Sequence, residues 1–123
     1  MAKILVVDDE RSIRNSMKEV LEFEGHVVTL AEDGETGLKE AEKEQFDLVF
    51  SDIKMPKMDG IELLAKMRQL QPSTKMILIS GHGTIETAVQ CMRNGAFDFI
   101  EKPMNLNRLL QAVKEAMSSN SAE

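Results

Sequence analysis

Four short apolar runs of the sequence each lead into polar residues that can do chemistry. These polar residues are Asp8, Asp9, Asp52, Ser80 and Lys102. Runs of this length, rich in valine, isoleucine and leucine, are typical of buried parallel strands. Because ligands bind outside the carboxyl ends of the strands in an open parallel α/β sheet, we expect these side chains to converge on one site.

The residue types in this set point to the transfer of a phosphoryl group. Three carboxylates at two strand ends repel one another unless a cation neutralises them, and Mg²⁺ takes oxygen ligands of this kind. Lys102 adds a positive charge that can reach a phosphate, and the hydroxyl of Ser80 can donate a hydrogen bond to a phosphoryl oxygen. A carboxylate can itself attack phosphorus, and Asp52, at the end of its own strand, is the candidate nucleophile.

The elements that must position these residues alternate regularly along the chain. A further apolar run at residues 27–30 predicts another strand, and each run is followed by a segment with apolar residues three or four apart, which is typical of helices. Asp33, Asp59, Thr84 and Asn105 are predicted to cap the later helices. The repeated β-α order predicts an α/β protein with a doubly wound parallel sheet and helices on both faces.

Composition and charge limit the classes of function. The 123 residues, 42% of them hydrophobic and 29% charged, are those of one soluble domain, which we assign to residues 1–117, with 118–123 as a linker or frayed tail. A net charge of −6 argues against binding of nucleic acid by this segment, and no apolar run has the length of a membrane span. The sequence shows no signal-peptide pattern and one cysteine, Cys91, expected to pack in the core or lie on the surface rather than react, so we expect a cytoplasmic protein.

The same motifs make the sequence resemble the receiver domains of bacterial two-component response regulators over essentially its whole length. The matching residues are the acidic pair Asp8 and Asp9, the phosphoacceptor Asp52 with the following Met55, Pro56 and Gly60, the switch hydroxyl of Ser80, and Lys102 with Pro103. The resemblance implies a flavodoxin-like fold whose five parallel strands have the order 2-1-3-4-5. It also implies that Asp52 is the residue that becomes phosphorylated.

The resemblance further implies a set of metal ligands. In the family the metal is bound by the second acidic residue, the phosphoacceptor and a main-chain carbonyl two residues later. These correspond here to Asp9, Asp52 and the main-chain carbonyl of Lys54 for Mg²⁺, with Asp8 reaching the metal through water. The peptide bond before the family's proline is commonly cis, which corresponds to Lys102–Pro103.

A conformational switch is also implied by the resemblance. The family couples its switch hydroxyl to an aromatic residue on the last strand, and the matching residues here are Ser80 and Phe99, at a position where tyrosine is frequent. An ordinary core residue is the alternative interpretation of Phe99. Phenylalanine can turn inward but offers no hydroxyl to a partner. We expect phosphorylation to repack the face made by the fourth helix, the fifth strand and the last helix, which then binds a partner or forms a homodimer. His82 and Lys54 occupy positions that influence dephosphorylation in the family, although an ordinary loop residue is the favoured interpretation of His82.

Residues 80–86 and 95–103 resemble receivers of the NtrC type, which are usually followed by an AAA+ ATPase module and a helix-turn-helix domain. We therefore expect a signalling domain rather than an enzyme, one that catalyses its own phosphotransfer from a sensor histidine kinase and its own dephosphorylation. Its output is expected to be transcription, controlled through downstream domains. A stand-alone receiver that acts by protein–protein interaction is the alternative.

Three other classes of protein share parts of this pattern. Phosphatases that resemble haloacid dehalogenases need a second aspartate two residues after the nucleophile, where this chain has Lys54, and a cap domain for which the chain is too short. A flavin-binding module on the same fold needs a hydroxyl- and glycine-rich phosphate loop after the first strand, where Asp8 and Asp9 would repel the phosphate. A degenerate receiver that signals by binding alone is disfavoured by the complete set of site residues.

Overall fold

Strands and helices alternate throughout the computed structural model, which describes residues 1–81 and 83–118. The strands are β1 (Lys3–Val7), β2 (Val27–Ala31), β3 (Leu48–Asp52), β4 (Lys75–Ser80) and β5 (Asp98–Glu101). The helices are α1 (Arg11–Phe23), α2 (Gly34–Lys43), α3 (Gly60–Leu70), α4 (Ile85–Arg93) and α5 (Leu106–Ser118). The apolar runs that predict the strands, at residues 3–7, 27–30, 48–51, 76–79 and 97–100, agree with these strands to within one residue at either end. Ser118, the first residue of the predicted tail at 118–123, is the last residue of α5, while the rest of that tail and the hypothesis for His82 lie outside the described residues.

The strands of the described chain form one parallel sheet in the order β2-β1-β3-β4-β5, which confirms the order implied by the resemblance. The register places Val7 beside Ser51 and Ser80 beside Glu101. Because all strands point the same way, the residues that follow them in the chain emerge at a single edge of the sheet. The polar residues singled out in the sequence are therefore brought to that edge.

The helices begin where the sequence predicts. The side chains of Asp33, Asp59, Thr84 and Asn105 each accept a hydrogen bond from a main-chain N–H two or three residues later. A cap of this kind stabilises a helix by about 1 kcal/mol, because it satisfies a donor that has no partner within the helix. The predicted caps are confirmed, and they set where α2, α3, α4 and α5 leave the loops that border the site.

Two apolar layers cover the two faces of the sheet. Helices α1 and α5 pack on one face, where Met17, Leu21, Leu109 and Val113 are buried against the sheet. Helices α2, α3 and α4 pack on the other face, and Cys91 is completely buried there, as expected for a packing residue. The doubly wound arrangement predicted from the sequence is confirmed, and it leaves β3, which carries Asp52, buried along its whole length.

Helix α4 also carries apolar side chains that face solvent. Ile85 is 86% exposed, and Val89 and Met92 are both exposed. These residues lie at helical spacing, so they form one apolar stripe on the exposed side of α4, the helix that precedes β5 in the chain. Within the ranges that the structure describes, none of the helices combines the length and apolar character needed to cross a membrane.

Candidate functional site

A cleft of about 230 Å³ opens at the carboxyl ends of the strands. The residues that line it are Asp9, Glu10, Asp52, Lys54, Ser80, Gly81 and Lys102. Asp8 lies beneath this cleft, with 1% of its surface exposed. The structure therefore brings the residues that the sequence singled out for chemistry to one place, and it adds Glu10 to them.

Lys102 connects the two buried carboxylates. Its Nζ lies 3.3 Å from Oδ2 of Asp52 and 3.4 Å from Oδ2 of Asp8. The side chain of Lys102 is 17% exposed, so these ion pairs are only partly screened by solvent. Glu10 is more exposed and lies at 3.8 Å from the same Nζ. The ammonium group of Lys102 is thus shared by three carboxylates. Those of Asp8 and Glu10 follow β1, and that of Asp52 ends β3.

Burial makes ionisation of the two inner carboxylates costly. It raises the pKa of Asp52, and the neighbouring Asp9 adds to that rise, while Lys102 and the main-chain N–H of Lys54 act in the opposite direction. Burial likewise raises the pKa of Asp8, although the hydrogen bond from Glu10 opposes it. Lys102 offsets part of this cost but leaves both pKa values above the ordinary value, so the site favours an additional cation.

The same pair of carboxylates acts on Lys102. Burial lowers the pKa of Lys102, but the charges of Asp8 and Asp52 outweigh this effect, and the net shift is upward. Lys102 is therefore firmly protonated at neutral pH. An ammonium group held at this position presents a fixed positive charge to any anion that enters the cleft.

The acidic residues that follow β1 form a compact turn. The N–H of Glu10 donates to Oδ1 of Asp8 at 2.9 Å, which closes the turn on itself. Carboxylate oxygens of Asp8, Asp9 and Glu10 lie within 4.8 Å of one another. An all-oxygen set of this kind, in which Asp8 is buried and its pKa is raised, fits a hard divalent cation such as Mg²⁺. Glu10 was not singled out in the sequence, although its position directly after the acidic pair was a usable signal.

The loop after β3 folds tightly over Asp52. The N–H of Gly60 donates to the main-chain oxygen of Ile53 at 2.8 Å. A Cβ atom at position 60 would contact the carbonyl oxygen of Asp52, so a glycine is required for this close approach. The tight return places Lys54 at the rim of the cleft, where its main chain can face the site.

Ser80 and Lys102 are tied together through the backbone. Ser80 is buried at the end of β4, and its main-chain oxygen accepts a hydrogen bond from the N–H of Lys102 at 2.8 Å. The peptide bond between Lys102 and Pro103 is cis, as the resemblance implied. Phe99 lies two residues before Glu101 on β5, half-buried against the core layer under α2, α3 and α4. The hydroxyl residue and the aromatic residue therefore lie on adjacent strands.

Comparison with known proteins identifies a family over most of the chain. Residues 4–114 match the family described as the response regulator receiver domain. The chain is 39% identical over 113 residues to the C4-dicarboxylate transport transcriptional regulatory protein DctD of Rhizobium meliloti. That match covers 92% of this chain and 25% of the relative, so the chain spans about a quarter of that regulator's length. Relatives of the chain include NtrC-family sigma-54 regulators such as DctD.

Solved structures show the same fold. A CheY-like receiver domain protein from Methanospirillum hungatei is 39% identical, with a TM-score of 0.94 over 99% of this chain and 98% of that one. A response regulator from Burkholderia pseudomallei, solved with a phosphorylated aspartic acid, a calcium ion and citrate, is 28% identical, with a TM-score of 0.87 over 99% of this chain and 72% of that one. This chain belongs to the response regulator receiver domain family of two-component signalling proteins.

Proposed function

We propose that this domain accepts a phosphoryl group on Asp52 from the phosphohistidine of a sensor histidine kinase, in the presence of Mg²⁺. The observation that carries the proposal is the position of Lys102 Nζ, within 3.4 Å of both Asp8 and Asp52 in a cleft that Ser80 also lines. A carboxylate, a hydroxyl and a fixed ammonium group facing one cleft are suited to bind and receive a phosphoryl group.

Asp52 acts as the nucleophile. One of its carboxylate oxygens attacks phosphorus, the bond between phosphorus and the imidazole nitrogen breaks, and its electron pair returns to the imidazole ring. The ammonium group of Lys102 exchanges part of its contact with Asp52 for a contact with a phosphoryl oxygen, and the hydroxyl of Ser80 donates to another. Both groups are already at the cleft before the donor arrives, so little rearrangement opposes the reaction.

Asp9, Asp52 and the main-chain carbonyl of Lys54 are the proposed ligands of Mg²⁺, with Asp8 acting through water. The bound cation offsets negative charge on the phosphoryl oxygens during transfer. Three of these residues line the cleft, and Asp8 lies beneath it, which supports the assignment. Glu10 belongs to the same acidic turn and adds to the charge that attracts the cation.

An apolar cleft next to Lys102 supports the kinase as partner. It measures about 300 Å³ and lies between α1 and the loop that leads into α5, with Ile13, Met17, Pro103 and Met104 among its lining residues. Protein–protein interfaces have an apolar centre, so a partner that brings a phosphohistidine to Asp52 can dock on an apolar surface beside it. This cleft offers such a surface, and Lys102, whose ammonium group faces Asp52, is one of its lining residues.

The signalling output of the domain depends on a shift between two packing arrangements of α4, β5 and α5. Contacts of Ser80 with the phosphoryl oxygens favour the arrangement in which Phe99 turns inward and the face of α4, β5 and α5 is altered. The exposed stripe of Ile85, Val89 and Met92 lies on that face and is suited to bind a partner or a second copy. Because the relatives are longer transcriptional regulators, we propose transcription as the output, with action as a stand-alone receiver as the alternative.

Mass spectrometry tests the phosphoacceptor directly. The intact mass is measured after incubation with a small acyl phosphate, with and without Mg²⁺, for the wild type, Asp52→Ala and Asp47→Ala. Asp47 precedes the same strand at the opposite edge of the sheet, so its variant controls for loss of a carboxylate. We expect one phosphoryl group to be added in the wild type and in Asp47→Ala only when Mg²⁺ is present. Equal modification of Asp52→Ala would refute the assignment of the phosphoacceptor.

A further inference from the structure

Arg14 makes a contact with the acidic turn that the proposed reaction does not use. Its Nη1 donates a hydrogen bond of 2.7 Å to the main-chain oxygen of Asp8. Arg14 lies in the first turn of α1 and is half-buried, so its guanidinium reaches back from the helix to the end of the preceding strand. A hydrogen bond from a charged donor is stronger than one between neutral groups, and it restrains the peptide that accepts it.

The hydrogen bond from Arg14 restrains the residue that directly follows the last paired residue of β1. The ladders that pair β1 with β2 and β3 end at Val7. Beyond that point the N–H of Asp8 still donates to the main-chain oxygen of Ala31 at 3.1 Å, and the carboxylate of Asp8 accepts from Glu10. Arg14 holds the carbonyl oxygen of the same residue. The guanidinium of Arg14 thus holds the backbone carbonyl of Asp8 at the point where the pairing of β1 with its neighbouring strands ends.

The restrained group is the peptide between Asp8 and Asp9. The carbonyl oxygen of Asp8 and the N–H of Asp9 belong to one rigid plane, so fixing the oxygen fixes the direction in which Asp9 leaves the turn. Asp9 is exposed at the cleft, and its charge contributes to the raised pKa of Asp52. The orientation of this peptide therefore restricts the positions that the Asp9 carboxylate can take relative to Asp52.

We propose that Arg14 is a positioning residue for binding of the divalent cation, acting through the peptide between Asp8 and Asp9. The role rests on the proposed function. Positioning by Arg14 favours binding of the cation, whereas its charge opposes binding, because a positive charge near carboxylates weakens their attraction for a cation. Removing the side chain therefore weakens binding if position dominates and strengthens binding if charge dominates.

Calorimetric titration with Mg²⁺ separates these effects. The samples are the wild type, Arg14→Met, Arg14→Lys and Arg11→Met. Arg11 carries the same charge at the exposed start of the same helix, so its variant measures the effect of charge. We expect Arg14→Met to lose affinity by about tenfold, as is typical for residues that orient metal ligands. Arg14→Lys is expected to lie between it and the wild type, because lysine keeps the charge but lacks the planar fork. Arg11→Met is expected to bind equally well or more tightly.

Urea unfolding of each variant shows whether it is folded under the conditions of the titration. Affinity in Arg14→Met equal to or above that of the wild type would overturn the positioning role. If Arg14→Met does not fold, Arg14→Lys carries the test, since its charge is unchanged, and wild-type affinity in that variant would overturn the role. A wild type that binds no Mg²⁺ and gains no mass from an acyl phosphate would refute the proposed function, and the role of Arg14 with it.

Discussion

The ring of Phe99 lies directly over Gly83, so close that a Cβ atom on residue 83 would come within 2.7 Å of the Cζ atom of the ring. Gly83 belongs to the loop that leaves the end of β4, and Phe99 lies on the neighbouring strand β5. The missing side chain at residue 83 is what allows the ring to occupy this position. The loop that follows Ser80 and the aromatic residue proposed as the switch are therefore in direct contact.

Replacing Gly83 with alanine is expected to displace Phe99 without any phosphoryl donor, because the new methyl group overlaps the ring. Fluorine NMR of protein labelled with fluorophenylalanine measures this displacement, and a Phe99→Leu variant assigns the signal. Gly81→Ala is the matched control, since a Cβ atom there meets its nearest neighbour, Cδ of Lys102, only at 3.8 Å. A Phe99 signal that is the same in Gly83→Ala as in the wild type would contradict the prediction.

Replacing Lys102 with alanine is expected to leave Mg²⁺ binding intact or somewhat tighter, because a positive charge beside the carboxylates is removed, while it impairs phosphoryl transfer and the switch. The carboxylates proposed to hold the cation remain, but the ammonium group proposed to contact the phosphoryl oxygens is lost, and the loss of one such contact typically slows a transfer about a hundredfold. Calorimetry measures the affinity, and mass spectrometry with fluorine NMR of Phe99 measures the response to an acyl phosphate. Lys43→Ala removes an exposed lysine on α2 and is expected to behave as the wild type. Equal responses of Lys102→Ala and the wild type would count against this role.

Replacing Asp52 with asparagine is expected to stabilise the domain in the absence of divalent cations. Burial raises the pKa of Asp52, so keeping it ionised at neutral pH costs free energy that a neutral side chain avoids. The free energy of unfolding is expected to rise, because Lys102 keeps Asp8 and Glu10 as partners when residue 52 becomes neutral. Urea unfolding at neutral pH measures it, with Asp47→Asn as the control. No gain, or a loss, in Asp52→Asn would show that Lys102 already compensates the charge fully.

The contribution of Asp8 and Asp52 to stability without divalent cations is expected to fall as pH rises through the region above 3.8. The raised pKa values of Asp8 and Asp52 mean that the folded state holds more protons than the unfolded state in this region, so each rise in pH favours unfolding. The difference between the wild type and an Asp8→Asn, Asp52→Asn double variant isolates this effect from groups such as Asp33 and His26, which titrate in both proteins. A difference in urea midpoint that does not change with pH would contradict the prediction.

Added Mg²⁺ is expected to stabilise the wild type increasingly as pH rises, because the cation binds the ionised carboxylates of the folded protein and competes with protons for them. Urea midpoints measured with and without Mg²⁺ across the same pH range test this. The Asp8→Asn, Asp52→Asn double variant is expected to show little effect of Mg²⁺ at any pH. Stabilisation by Mg²⁺ that is equal at low and high pH would argue against binding at these carboxylates.

The sequence by itself determined the order of strands and helices, the caps and most of the site. Apolar spacing and capping residues act within a few positions along the chain, which is why β3 and the caps at Asp33 and Asp59 agree with the structure. Parallel strands must bring their carboxyl ends to one edge, so the meeting of Asp52 with Lys102 followed from their places after their strands.

Tertiary structure alone decided which partner each side chain meets. Helical spacing placed Ile85 and Val89 on one face of a helix, but only the packing of α4 leaves that face in solvent while Cys91 is buried. The hydrogen bond from Arg14 to the carbonyl of Asp8 and the ring of Phe99 over Gly83 depend on where a side chain ends in space. Spacing along the chain specifies on which face of a helix and at which end of a strand a residue lies. Contacts between residues distant in the chain arise only when the layers of the fold pack together.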